Sequence, residues 1–503
     1  MKFISNTVFF SLATLISRVL GYIRDATIAY TFGANVLTDA FFVAWRLPNT
    51  LRQLIGEGSF NAAFIPIFTE ERKKSEKNAL EYASSLFSYY TIVLSVITFF
   101  VVVFAPEFVK IIAPGFVAKG NLEETVKLVR IVFPYLVLVG WFSFLMALLN
   151  IKDRFFIPAV SPALLNLSFI FSAVILSNYY GIYSLAYGAL IGGVLQVLLQ
   201  IPLIIKEKII IKPTLKIHSA VKETLKRLMP AFASFGVSQF SFVIDTVIAS
   251  FLIGGAISYL YYGNRIFQLP LGLFAIGLGN ALLVSLSKYY AEKDMKNFNK
   301  DFNVGIQLAL FISIPATVGT IVLGKEIIDI LFVRGAFNYQ DAEITFYALI
   351  GYSIGLTGYA LTRPFKSSFF AIGDMKTPLN STIFGIVVSI FFAVLLGFVF
   401  QWGVFGLALA SSIGGFANTG YLYFKYPFEI QKREIVKTFF KVSFSSILMG
   451  CFIFLIKIFI KNEYLVVLIS IPSAIVLYFI LNGLMKEKVV VIFSNMIKRK
   501  FRL

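Results

Sequence analysis

A chain of 503 residues that is 58% hydrophobic and only 14% charged, with 56 Phe, is not a water-soluble globular protein. Its mean hydropathy of +0.83 and its recurrent long apolar runs exclude a β-barrel, whose segments are short and alternating. The net charge of +19 has no separate soluble domain to carry it, which argues against nucleic-acid binding. A polytopic, all-α membrane protein remains.

Apolar runs divided by charged or Gly/Pro breaks predict about fourteen spans. They cover approximately 5–30, 35–68 (broken near Pro48 and Gly56–Gly58), 83–113, 126–149, 157–177, 183–205, 230–253, 257–287, 302–323, 342–370, 378–400, 404–425, 438–460 and 463–485. Lys2 followed by the apolar run Phe3–Ile16 resembles a signal peptide. No small-residue cleavage site follows, and Arg18 and Arg24 come next, so the run reads as the first span. The single cysteine, Cys451, excludes an intramolecular disulfide. The single histidine, His218, falls in a basic loop and is expected at the solvated surface.

The basic residues orient the spans. Most of the 45 Lys and Arg fall in the terminal segments and loops on the side shared by both termini. Lys110, Lys119, Lys127, Arg130, Lys325, Arg334, Lys457 and Lys461 fall on the other side. By the positive-inside rule both termini are expected in the cytoplasm. The basic tail suits anionic lipid head groups.

An internal repeat is legible. RDATIAYTFGA at 24–34 lines up with IDTVIASFLIG at 244–254, so that Asp25 meets Asp245. Downstream, Arg46 meets Arg265, Asn61 meets Asn280, Glu107 meets Glu326, and Asp153 meets Asp374. GIYSLAYGALIGG at 181–193 then aligns with GVFGLALASSIGG at 403–415, the register staying nearly constant. An even number of spans separates the copies, which predicts parallel halves about an axis along the membrane normal. The expected organisation is an N-terminal lobe at 1–228 (spans 1–6 and a basic loop) and a C-terminal lobe at 229–430 (spans 7–12). Two further spans and a basic tail follow at 431–503. The paired glycines Gly192–Gly193 and Gly414–Gly415 read as close helix-packing positions. Gly115 and Gly254–Gly255 read as turns at span ends.

Residues 17–68 carry the charges that composition does not explain: Arg18, Arg24, Asp25, Asp39, Arg46, Arg52 and Glu57. A charge at mid-bilayer costs about 2.5–3.5 kcal/mol on insertion scales, so such residues face a bundle interior or a water-filled cavity. Arg18 and Asp25 share one helical stripe, as do Asp39 and Arg46. Internal ion pairs are one reading. Against it, Arg18, Arg24, Arg46, Arg52 and Arg265 outnumber Asp25, Asp39, Asp245 and Glu57, although Arg46 and Arg52 can snorkel. An excess of Arg over Lys suits bidentate binding of phosphate oxygens. Asp245 reads equally as a cation or proton site and as an ion-pair partner of Arg265. No Walker loop, metal cluster or nucleophile triad is present in the sequence. Neither an enzyme nor a cofactor is expected.

At these residues the sequence resembles the MurJ (MviN) family of bacterial lipid II flippases, in the MOP exporter superfamily. The matching stretches are SRVLGYIRD, TDAFFVAWRLPN, LRQLIGEGSFNAAFIPIF and, in the second half, YGNRIFQLPLGLFAIGLG. The resemblance implies that Arg18, Arg24, Arg52 and Arg265 contact the pyrophosphate–sugar head group of undecaprenyl-pyrophosphate-linked disaccharide peptide. It implies that Asp25 and Asp39 position these arginines, and that the last two spans form a groove for the polyprenyl tail. Some relatives hold a sodium ion at the carboxylate matching Asp245, with partners in span 11. That span here offers only Asn380 and Thr382. The implied function is outward translocation of the peptidoglycan precursor across the bacterial inner membrane by alternating access. A polysaccharide-precursor flippase or a drug exporter of the same superfamily is the alternative.

Overall fold

The computed structural model describes residues 2–56 and 59–491. Their regular structure is helical, the only β feature among them being an isolated bridge between Arg334 and Phe337. The chain forms two compact units, Met1–Ser258 with Arg334–Phe337, and Tyr259–Val333 with Asn338–Leu503.

The first unit begins with α1 (Lys2–Phe32), α2 (Val36–Gly56), α3 (Ser59–Lys74) and α4 (Glu76–Val103). The short α5 (Ala105–Ile112) and α6 (Gly115–Ala118) lead into α7 (Leu122–Val132) and α8 (Tyr135–Ile151). It ends with α9 (Phe156–Phe171), α10 (Ser177–Tyr180), α11 (Tyr183–Lys206) and α12 (Ser219–Ala249). The second unit takes most of α13 (Ala256–Pro270), then α14 (Ile276–Ala291), α15 (Met295–Phe332), α16 (Tyr339–Ile354) and α17 (Leu356–Ala371). It closes with α18 (Lys376–Val394), α19 (Gly403–Phe424), α20 (Lys432–Phe459) and α21 (Glu463–Leu484). Among the described residues nine helical segments, from Glu76–Val103 to Glu463–Leu484, are long and apolar enough to cross a bilayer. Pro48 does not break α2, which runs on to Gly56.

The repeat seen in the sequence recurs in the backbone. A π-helical segment, Ser172–Leu176, precedes α10 in the first unit, and another, Leu395–Val399, ends α18 in the second. The turns that follow place Gly181 at φ +54° and Gly403 at φ +52°. The earlier turn is left-handed at Asp153 (φ +58°) and at Gly373 (φ +82°). Small residues then let the helices close up. A Cβ on Gly192 would meet Leu165 Cδ1 at 2.7 Å, and one on Gly414 would meet Gly385 O at 2.7 Å. Both glycine pairs are packing positions, as the sequence indicates. Gly115 serves the same end, since a Cβ there would lie 2.3 Å from Ser250 O.

His218 departs from expectation. Residues 209–218 run extended against α4, where serine hydroxyls take up their backbone amides. Lys212 N donates to Ser84 Oγ (3.0 Å), Thr214 N to Ser88 Oγ (2.9 Å) and His218 N to Ser85 Oγ (3.1 Å). At the end of this strap His218 Nδ1 accepts from Ala220 N at 3.2 Å and caps α12. Its side chain is 16% exposed, with Nε2 4.0 Å from the buried Glu71 carboxylate. The loop's backbone must satisfy its amides somewhere, and the serines of α4 draw the histidine inward.

Candidate functional site

Arg24 and Asp25 sit past the midpoint of α1, which packs along α9. The Arg24 guanidinium is held on three sides. Nε and Nη2 donate to Asp25 Oδ1 at 2.9 and 2.6 Å, and Nη1 donates to Asn166 Oδ1 of α9 at 3.1 Å. Asn166 is itself fixed by donating Nδ2 to Ser17 O at 3.0 Å. The guanidinium also lies over the Phe169 ring, 5.7 Å from its centroid. Asp25 is fully buried, whereas the Arg24 side chain keeps 13% exposure. The pair is therefore built to present part of an oriented planar fork to its surroundings.

Beneath it lies an aromatic floor. Trp45 and Phe41 of α2 pack against Phe169 at 5.1 and 6.1 Å between centroids, and Trp45 against Tyr135 of α8 at 5.0 Å. Tyr135 is fully buried and lies within electrostatic reach of Arg52 first and Arg24 second. Arg52, in the last turns of α2, is half-buried and donates Nε to Asn49 Oδ1 at 3.1 Å. Arg24 and Arg52 thus both act on Tyr135, and Arg24 has a rigid apolar backing, which lowers the local dielectric and strengthens its field.

The other site residues are placed as follows. Arg18 is exposed on α1; the partner of Asp25 is its neighbour Arg24, not Arg18 on the shared stripe. Asp39 is buried at 2% exposure and accepts three hydrogen bonds from the start of α13. Oδ2 takes Gly255 N (2.8 Å), and Oδ1 takes Ser258 N (2.8 Å) and Ser258 Oγ (2.6 Å). A carboxylate there satisfies amides that no intrahelical carbonyl can reach. Arg46 is half-buried, and its charge is the one that acts on Asp245 of α12. Glu57 lies outside the described residues. Arg265 is half-buried on α13, in the second unit. In α18 the Thr382 hydroxyl is occupied, donating to Pro378 O at 2.8 Å and accepting from Lys366 Nζ at 2.9 Å. Asn380, two residues earlier, is half-buried. No group of three His, Cys, Asp or Glu among the described residues could hold a metal.

Sequence reasoning missed Asn166 and the Phe169–Trp45–Tyr135 floor. Asn166 had a signal, being the one side-chain amide in the apolar run PALLNLSFIF. The aromatics had none, because in a chain this rich in Phe each looks like ordinary core.

An all-helical fold with ionisable side chains buried on apolar helices defines a membrane transporter. The fold is shared with an inward-facing multidrug resistance MATE transporter of the MOP superfamily. That likeness has a TM-score of 0.65 over 84% of this chain and 95% of that one, at 15% identity, and concerns the fold alone. The sequence profile of the family described as "Lipid II flippase MurJ" matches residues 28–475. A probable lipid II flippase MurJ of Aquifex aeolicus is 34% identical over 98% of this chain and 96% of its own length. A lipid II flippase MurJ of Burkholderia cenocepacia is 33% identical over 82% and 81%. A solved structure of lipid II flippase MurJ in an inward closed conformation superposes with a TM-score of 0.83 at 31% identity, covering 96% of this chain and all of that one. The chain belongs to the MurJ family of lipid II flippases.

Proposed function

We propose that this protein translocates lipid II from the cytoplasmic to the periplasmic leaflet by alternating access, with both termini in the cytoplasm of a bacterial inner membrane. The observation that carries the reading is the Arg24 guanidinium. It is oriented by Asp25 and Asn166 over an aromatic floor while part of it stays exposed. The same reading assigns Arg18, Arg52 and Arg265 to the pyrophosphate and sugars as well, with Asp25, Asp39 and Arg46 as supporting charges. A negative-inside potential favours outward movement of net negative charge by about 2.3 kcal/mol per charge per 100 mV.

The polyprenyl tail would follow the last two helices. An apolar concavity of about 490 Å³, lined by Val318 and Val322 of α15 and by Gly450, Phe454 and Leu455 of α20, supports this for α20, with α15 rather than α21 as its other wall. Division into lobes 1–228 and 229–430 with a tail-binding appendage at 431–503 follows from the same reading. The protein needs no catalytic group or cofactor, because the lipid leaves chemically unchanged.

Native mass spectrometry of the purified protein with lipid II, undecaprenyl phosphate and a cationic drug tests the assignment. Lipid II should bind best and be recovered intact. Equal binding of the drug points to an exporter, and a cleaved or transferred sugar to an enzyme. Labelling single cysteines at 74 and 121 in a Cys451→Ser background with an impermeant thiol reagent tests the orientation. Only position 121 should react in intact cells.

A further inference from the structure

The helical segment Phe156–Tyr180 is 25 residues long, so the turn after it lies a full span away from the 151–156 turn. Tyr179, Tyr180, Tyr183 and Tyr187 gather there and, with Lys127 and Arg130 of α7, line a concavity of about 640 Å³ open to the surface.

The walls are fixed. Tyr183 donates its hydroxyl to Glu124 Oε2, and Lys127 Nζ bonds Glu124 Oε1 at 3.0 Å. The Tyr180 and Tyr187 rings meet edge to face at 5.2 Å, and Arg130 Nε donates to Val102 O at 3.2 Å. Both cations, Lys127 and Arg130, are exposed. Glu124 is taken up by Tyr183 and Lys127, and the other nearby carboxylate, Glu123, is exposed one turn before Lys127. Among the described residues Arg130 is thus the cation here with no carboxylate bonded to it. Interfacial Tyr and Lys/Arg are common anchors, but an ordinary belt needs no concavity shared among them. The surface leading away from the pocket is apolar: Val174 is 55% exposed, Ile175 45% and Ile191 38%. A soluble anion would have no use for that surface, whereas acyl chains would.

We propose that this concavity is a headgroup site for an anionic phospholipid of the phosphatidylglycerol type. Arg130 and Lys127 take the phosphate oxygens, the tyrosine hydroxyls donate to phosphate and glycerol oxygens, and the acyl chains run over Val174, Ile175 and Ile191. The site lies wholly within the first unit and does not depend on which head group the transporter carries.

Full-length protein, delipidated in detergent, is titrated with phosphatidylglycerol and with phosphatidylcholine of identical acyl chains, and bound lipid is counted by native mass spectrometry. Wild type should retain one phosphatidylglycerol with a preference of about tenfold or more, since each basic residue near a lipid phosphate contributes about fivefold. Arg130→Ala and Lys127→Ala should each lose about fivefold and together abolish the preference, whereas Arg130→Lys should keep most of it. Lys110→Ala, an exposed lysine of α5 outside the pocket, should change nothing. Inorganic phosphate should fail to displace the lipid, because it lacks the acyl contacts. Displacement by phosphate would reassign the pocket to a free anion. A preference that survives the double variant, or equal binding of the two lipids by wild type, would overturn the proposal.

Discussion

The Asp39 carboxylate is seated on the first turn of α13, with Ser258 bound twice through its amide at 2.8 Å and its hydroxyl at 2.6 Å. Gly255 N occupies the second carboxylate oxygen, and Gly255 itself needs φ +90°, a conformation costly for any residue with a Cβ. This buried side chain fixes where α2 meets the helix start, so its contribution is structural before it is electrostatic. Asp39→Asn would turn an amide N–H toward a backbone N–H, stranding one donor at a cost of about 1–3 kcal/mol. The variant should lose thermal stability in detergent, and Ser258→Ala should lose less. An Asp39→Asn protein as stable as wild type would mean that the carboxylate serves only the substrate.

Arg24 should be intolerant even of lysine. Its Nε, Nη1 and Nη2 all have partners, and a single ammonium cannot reach both Asp25 and Asn166 in that geometry. Arg24→Lys is expected to reach the membrane but to fail to complement a flippase-depleted strain, which should then accumulate lipid II. Asn166→Ala, which removes one arm and leaves the Asp25 pair, should lower flipping by about tenfold, the effect of about 1.4 kcal/mol. Wild-type growth of both variants would make the cluster an internal ion pair and nothing more.

The helical class, the repeat and the arginine-bearing stretch were legible because each is written in local pattern. Apolar run length, the matched GIYSLAYGALIGG and GVFGLALASSIGG segments, and charges within apolar text need no three-dimensional knowledge. Partners could not be read. On a helical wheel Arg18 shares the Asp25 stripe, yet Arg24 takes the carboxylate, because a long flexible side chain can fold back across its own turn. Asp39 shares a stripe with Arg46 but is seated on amides more than 200 positions away in sequence, as Ser258 shows. His218 read as solvated because nothing in the text says that Ser84, Ser85 and Ser88 will take up the loop's backbone.

Asp374 gives a prediction with a pH sign. It precedes α18 outside the membrane-spanning segment and accepts from Thr377 Oγ1 at 2.6 Å, Thr377 N at 2.9 Å and Lys376 N at 2.9 Å. The Thr377 hydroxyl, and after it these amides, hold its carboxyl below the usual range. A lowered folded-state pKa stabilises the fold above the unfolded value near 3.9, and that contribution fades as pH falls through the folded value. The amides in the first turn of α18 should therefore have smaller protection factors, with the intrinsic exchange rate at each pH divided out, below about pH 4 than at neutral pH. Asp374→Ala should give the neutral-pH protein the protection factors of the acidified one, with a cap loss of about 0.5–2 kcal/mol. Protection factors insensitive to both changes would dismiss the cap.

The last prediction concerns the coupling ion. A sodium site in α18 would draw on Thr382, but the hydroxyl already donates to Pro378 O and accepts from the Lys366 ammonium at 2.9 Å. A sodium ion brought to the same oxygen would sit about 4 Å from a fixed positive charge, a repulsion of about 4 kcal/mol at an effective dielectric of 20. That repulsion disfavours sodium at this oxygen, up to the cost of removing the Lys366 proton. Substrate translocation should accordingly change by less than about twofold when sodium is replaced by choline at constant ionic strength. Added sodium should also leave the thermal midpoint unmoved, whereas an ion at a hundred times its Kd would stabilise the fold by about 2.7 kcal/mol. Loss of transport in choline together with a sodium-dependent midpoint would show that the ion binds despite Lys366, and Lys366→Met would then be expected to tighten it.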